Sequence, residues 1–153
     1  MKWNEGEVML MFFGEYEHTM DPKGRISMPA RFRDKLSDVF YITKGLDQCL
    51  FIFPESEWLN IEEKLKALPL TQGSARQFVR QFYAGAMDGE LDKQGRMMVS
   101  SNLREYAKLD KDVVLIGVST RIEVWSKSAW ESYQSDESQS YEALAEQLAQ
   151  LGI

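Results

Sequence analysis

The chain has 153 residues, 44% hydrophobic and 12% aromatic, which suits one packed domain or two small ones and excludes a large multi-part enzyme. A net charge of −6 excludes general coating of nucleic acid or membrane and leaves such contacts to local patches. One cysteine, Cys49, and one histidine, His18, leave almost no material for an intramolecular disulfide, a structural zinc site or a Cys/His nucleophilic pair.

In chain order, a short apolar segment (Phe12, Phe13, Tyr16) leads into the turn Asp21-Pro-Lys-Gly-Arg25. Asp opening a tight turn can accept backbone N–H bonds, and Gly24, three residues on, supplies a positive-φ position. Ile26–Met28 suits a short strand, and Pro29–Leu36 a helix with proline in its first turn. Two strand-like runs, Phe40–Thr43 and Leu50–Phe53, flank a turn at Lys44-Gly45. Trp58, Ile61, Leu65 and Leu68 recur at helical steps with charged residues between them, and Pro69 ends that helix. After the loop Thr71–Ser74, Ala75, Phe78, Val79 and Phe82 predict a second helix. The same series then recurs: Tyr83 and Ala86 before the turn Asp92–Arg96, a strand at Met97–Val99, and a helix over Ser100–Ala107 that Ser100 can cap. Strands follow at Val113–Ile116 and Arg121–Trp125, and Leu144, Leu148 and Leu151 space out a helix in the tail from Tyr141.

The recurrence is an internal repeat. At an offset of 71, Asp21, Gly24 and Arg25 fall on Asp92, Gly95 and Arg96, Gly14 on Gly85, and Arg33 on Arg104. One inserted residue then aligns Gly45 with Gly117, Phe53 with Trp125, Ser56 with Ser128 and Trp58 with Trp130. The expected organisation is a first unit at 11–68, a helical connector at 69–81, a second unit at 82–133 and an acidic tail at 134–153.

Charge is unevenly spread. Met20–Lys35 holds Lys23, Arg25, Arg31, Arg33 and Lys35 against Asp21 and Asp34, whereas Glu131–Ile153 has five acidic residues and no Lys or Arg. Charge alone reads as a solvated face and a frayed end. The repeated turns carry more chemistry. Asp21 with Arg25, and Asp92 with Arg96, can close bidentate pairs across Gly24 and Gly95, which would make them turn-fixing elements. An arginine fork also matches phosphate oxygens and the O6/N7 edge of guanine. Lys23, Arg31 and Arg33 would add phosphate contacts in the first copy, and Lys93 and Arg104 in the weaker second copy. His18 reads as a surface or packing residue, Cys49 as a small buried hydrophobe, Glu62-Glu63 as solvated charge, and Trp58, Trp125 and Trp130 as duplicated core.

The run Met11-Phe-Phe-Gly-Glu-Tyr16 with Asp21–Arg33, then Leu91–Arg96, and Val114-Leu-Ile-Gly117 through Glu123-Val-Trp125, resembles the bacterial MraZ family over Met11–Trp130. The resemblance implies an α+β fold, mainly β with flanking helices: two fused AbrB-like swapped-hairpin halves forming a pseudo-dimeric β-barrel. It also implies a DNA-binding transcriptional regulator of the division and cell-wall gene cluster that encodes it, working as a ring-shaped homo-oligomer on promoter direct repeats, cytoplasmic and nucleoid-associated. The family's DNA-binding signature falls here on Asp21, Arg25, Asp92 and Arg96. Two features depart from the family pattern: members begin near Met11, so residues 1–10 are assigned no role, and Ser100 stands where proline is common.

The expectation is therefore a repressor without enzymatic activity, cofactor, metal or membrane contact, whose partner is double-stranded DNA. A subunit of charge −6 binds DNA weakly by itself, but an array of basic turns on one face of a ring would bind tightly. Two rivals stand beside it. An enzyme on a phosphorylated metabolite lacks a nucleophile–base pair and a phosphate loop. A pure assembly module, with turns that only fix the fold, predicts no salt-dependent DNA binding.

Overall fold

The computed structural model of the protein describes residues 11–136 and 140–152; the residues assigned no role, 1–10, lie outside the described residues. Strand β1 (Phe12–Thr19) runs into the first turn and β2 (Arg25–Ser27), followed by the single-turn α1 (Ala30–Arg33). Strands β3 (Phe40–Lys44) and β4 (Leu50–Pro54) lead to α2 (Glu55–Lys66) and α3 (Gly73–Gly85). The second series is β5 (Met87–Gly89), β6 (Arg96–Met98), α4 (Ser101–Tyr106), β7 (Asp112–Ser119), β8 (Arg121–Ser126) and α5 (Lys127–Ser135), with α6 (Tyr141–Leu148) in the tail. The molecule is thus a mixed α+β protein, mostly sheet with flanking helices and a C-terminal helix, as expected.

Local chemistry accounts for most boundaries. Pro29 and Pro54 precede the first turns of α1 and α2, where an absent N–H costs nothing. Ser100, Ser126 and Ser140 cap α4, α5 and α6, each accepting from the backbone N–H three residues on. One local reading differs. Tyr83 and Ala86 stand where the first copy has the start of β1, yet α3 continues to Gly85 and β5 keeps only three residues. The apolar stripe of α3 explains this: Phe82 and Tyr83 pack on Trp58, which holds that stretch helical.

Six strands form an open antiparallel sheet in the order β1-β7-β8-β4-β3-β5, and β2 pairs with β6 in a separate ribbon. Exchanging the two copies turns this order into its own reverse. The first strand of each copy pairs with the third strand of the other: β1 with β7 over eight residue pairs, from Phe12↔Ser119 to Thr19↔Asp112, and β5 with β3. Strands β4 and β8 also pair across copies. The approximate twofold relation passes through the ribbon, where Ile26 lies opposite Met97 and both are fully buried.

Their core partners match by copy as well. Met28 and Val99 are buried at equivalent positions, as are Phe32 and Leu103, beneath Ile42, Leu50, Leu115, Ile122 and Val124 of the sheet. Burying each such side chain contributes roughly 1.5–3 kcal/mol. The ribbon is therefore anchored by its apolar side, and its turns are carried at a fixed place on the surface.

Candidate nucleic-acid interface

Each repeated turn is closed by its own aspartate. In the first, the N–H of Asp21 donates to the carbonyl of Arg25 at 3.0 Å and that of Gly24 to the carbonyl of Asp21 at 2.9 Å; in the second, Asp92 and Gly95 repeat these bonds at 2.9 and 3.0 Å. Oδ1 of Asp21 accepts from the backbone N–H of Lys23 (3.0 Å) and of Arg25 (2.9 Å). Oδ1 of Asp92 accepts likewise from Gln94 and Arg96, both at 2.9 Å.

Only Oδ2 remains for the arginine. It accepts from Nε of Arg25 at 2.6 Å and, in the second turn, from Nε of Arg96 at 3.0 Å. The expected bidentate pair therefore does not form: the backbone amides occupy one carboxylate oxygen and the inner guanidinium nitrogen takes the other. Arg25 and Arg96 keep their outer Nη atoms for further contacts, at about 30% side-chain exposure. The backbone N–H of Arg25 is the main cause that holds the Asp21 carboxyl below the usual range, with the guanidinium adding to it against some desolvation; Asp92 is held down in the same way by Arg96.

The ribbon brings the two turns together. Arg25 pairs with Met98 and Ser27 with Arg96, and Nη1 of Arg96 reaches Oδ2 of Asp21 at 3.9 Å. Two further bonds cross between copies: the N–H of Val99 donates to the carbonyl of Gly24 and that of Met28 to the carbonyl of Gly95, both at 2.9 Å. Asp21, Arg25, Asp92 and Arg96 thus belong to one cluster.

The flanking cations divide into two groups. Lys23, Lys93 and Arg31 are exposed, and their side chains make no hydrogen bond or ion pair with the described residues. Arg33 and Arg104 instead reach across to the other copy's turn. A Cβ placed on Gly24 would lie 2.8 Å from Nε of Arg104, and one on Gly95 would lie 2.5 Å from Nη1 of Arg33. Arg104 is fixed there by donating from Nε to the carbonyl of Val99 at 3.1 Å. Each copy therefore places an arginine against the other copy's turn glycine.

Sequence reasoning missed Lys111, which shares a surface recess with Asp21, Pro22 and Arg104. The pairing of β1 with β7 brings it there, through the N–H of Met20 donating to the Lys111 carbonyl at 2.7 Å. No motif marks it, although the matched spacing from Gly24 to Arg33 and from Gly95 to Arg104 does mark the crossing arginines.

The remaining candidates belong to the sheet and to the rings packed around it. Cys49 is fully buried, its thiol donates to the Leu46 carbonyl at 3.1 Å, and burial pushes its pKa up to about 12. His18 lies on β1 opposite Val113, and partial burial lowers its pKa. Trp58 stacks on Tyr41 and Phe82, and Trp130 packs on Trp125 and Tyr133, so these rings serve internal packing. No helix among the described residues is long and apolar enough to cross a membrane.

The fold and cluster define a class: a duplicated, strand-exchanged α+β domain that presents paired basic turns. Comparison with known proteins makes the assignment specific. Residues 11–81 and 82–151 each match the family described as MraZ protein. "Transcriptional regulator MraZ" of Acetivibrio thermocellus is 57% identical over 143 residues, 94% of this chain and all of the relative. The proteins of the same name from Moorella thermoacetica (56% over 143 residues, 94% and 100% coverage) and Carboxydothermus hydrogenoformans (57% over 138 residues, 90% and 96%) are equally similar. The chain belongs to the MraZ family, whose named members are transcriptional regulators and not enzymes.

Proposed function

We propose that this protein is a sequence-specific DNA-binding regulator that represses transcription upstream of its own division and cell-wall gene cluster, as a ring of subunits on promoter direct repeats. The observation that carries this reading is the ribbon: two Asp-x-x-Gly-Arg turns side by side, each with a partly exposed arginine held through Nε, Arg96 also reaching Asp21 through Nη1 at 3.9 Å. Arg25 and Arg96 are the groove-reading or phosphate-clamping groups, since a guanidinium fork matches both guanine and phosphate. Asp21 and Asp92 hold the turns. Lys23, Lys93 and Arg31 neutralise phosphates, and Arg33 and Arg104 set the turns through Gly95 and Gly24 and border the same face. The units at 11–68 and 82–133 act as two halves of one binding element, joined by the connector at 69–81, with the acidic tail at 134–153 kept away from DNA.

The net charge of −6 makes one subunit a weak ligand for duplex DNA. Several turns on one ring, spaced to meet successive operator repeats, turn weak contacts into a tight complex. The test is a gel-shift titration on DNA from upstream of the protein's own gene, at two salt concentrations, beside Arg25→Glu. Specific binding that weakens with salt and vanishes in an intact, assembled Arg25→Glu protein supports the reading. No specific binding by the assembled wild type overturns it in favour of an assembly module.

A further inference from the structure

Two surfaces are left unfilled by the described residues, and they are complementary. The first is an open apolar groove of about 390 Å³ between α2 and α3, formed by Leu65, Leu68, Leu70 and Val79. Among the described residues its charged lining is basic, from Lys66, Arg76 and Arg80, with no acidic side chain. Arg76 braces the loop by donating to the Leu70 carbonyl at 2.9 Å, yet Leu70 remains 81% exposed. The second surface is α6 with the 3-10 turn that follows it (Ala149–Leu151). Tyr141, Leu144 and Leu148 fall on one face of α6 at steps of three and four, flanked by Glu142 and Glu146, and Leu151 continues the spacing in the turn. Tyr141 is 88%, Leu151 73% and Leu148 40% exposed, while Leu144 is half-buried, so the described residues leave most of this face uncovered. The tail carries no Lys or Arg from Glu131 onward.

We infer that α6 of one subunit seats in the α2–α3 groove of the next, leucines inward and Glu142 and Glu146 against Lys66 and Arg80. Apolar burial supplies the attraction, and the opposite charges at the rim fix the direction of the helix. Groove and tail are different surfaces of one chain, so the contact is head-to-tail. Such a contact closes a ring where the rotation allows it, and at a rotation of 180° it closes at two subunits that exchange tails. The inference rests on the assembly part of the reading above and names the parts that join.

The test uses full-length protein throughout. Leu70→Cys protein is mixed with Leu148→Cys protein and treated with a bifunctional thiol cross-linker; Cys49 is too buried to react, and the wild type serves as control. The inference expects a covalent dimer with one chain of each kind, and a ladder of multimers from the double variant Leu70→Cys/Leu148→Cys. A second variant, Leu144→Glu/Leu148→Glu, should weaken association by on the order of a hundredfold while keeping the near-ultraviolet spectrum of the fold. A double variant that links only to itself as a monomer overturns the inference, because the tail then covers its own groove. Wild type that assembles and binds its operator, without mixed cross-linking, also overturns it while leaving the regulator reading intact. Cross-linked assemblies that ignore the operator uphold tail docking and overturn DNA binding instead. A wild type that stays monomeric overturns both the docking and the ring.

Discussion

Gly24 and Gly95 adopt φ of +84° and +77°, so any other residue there accepts left-handed strain of about 1–2 kcal/mol. The two positions differ in what a methyl would strike first. At Gly24 it meets the Val99 carbonyl, which is backbone, at 2.9 Å as well as the Arg104 side chain; at Gly95 the three nearest atoms all belong to the flexible Arg33 side chain. Gly24→Ala should therefore cost about 1 kcal/mol more than Gly95→Ala, measured by urea unfolding. Equal losses would mean that the Val99 carbonyl does not distinguish the turns. The aspartates give a pH signature with a definite sign. Their folded pKa is depressed, so the turn's stabilisation is complete above the ordinary carboxylate midpoint of about 3.9 and is lost as pH falls below that value through the folded pKa. The amide signals of Lys23 and Arg25 should shift in that acidic window, and Asp21→Asn should abolish the shift for both.

Single elements show what was legible in the sequence. Turn chemistry is local, so Asp-x-x-Gly-Arg, the serine caps and the helical stripes of α2 and α3 could all be read from neighbouring residues. The duplication was legible too, because rare residues recur in a fixed order. Pairing partners were not, since a short run such as Leu50–Phe53 suits many partners, and only the whole sheet sets β4 beside β8. For the same reason Arg33 and Arg104 read as phosphate contacts from charge alone, while their place against the opposite glycine depends on the ribbon. This separates charge from shape. Arg104→Lys keeps the charge but loses the planar fork that donates to Val99. If positioning dominates, Arg104→Lys should weaken operator binding nearly as much as Arg104→Ala in a gel shift, whereas rescue by lysine would reduce the residue to a phosphate contact.

For the whole molecule, net charge and array determine binding. The logarithm of affinity should fall linearly with the logarithm of salt, by about 0.9 for each phosphate neutralised. Lys23→Ala should reduce that slope by about 1 per bound turn and weaken all sequences alike, whereas Arg25→Ala should also erase discrimination between operator and random DNA. A salt-independent complex would exclude phosphate contact by these turns. The exchanged strands carry a different consequence, one that concerns synthesis. Strand β1 is complete at residue 19, but its partner β7 ends at residue 119. At roughly 5–20 residues per second, the ribosome adds those hundred residues in about 5–20 s. During that interval β1 lacks its strand partner β7, and β2 lacks β6 until residue 98 has been added, so the first copy cannot complete these pairings by itself. Nascent chains halted before β6 should be digested readily by protease, and those that have released β8 should resist. The protein is thus committed to fold late, all at once, and at the mercy of whatever shields its first half while the second is still being made.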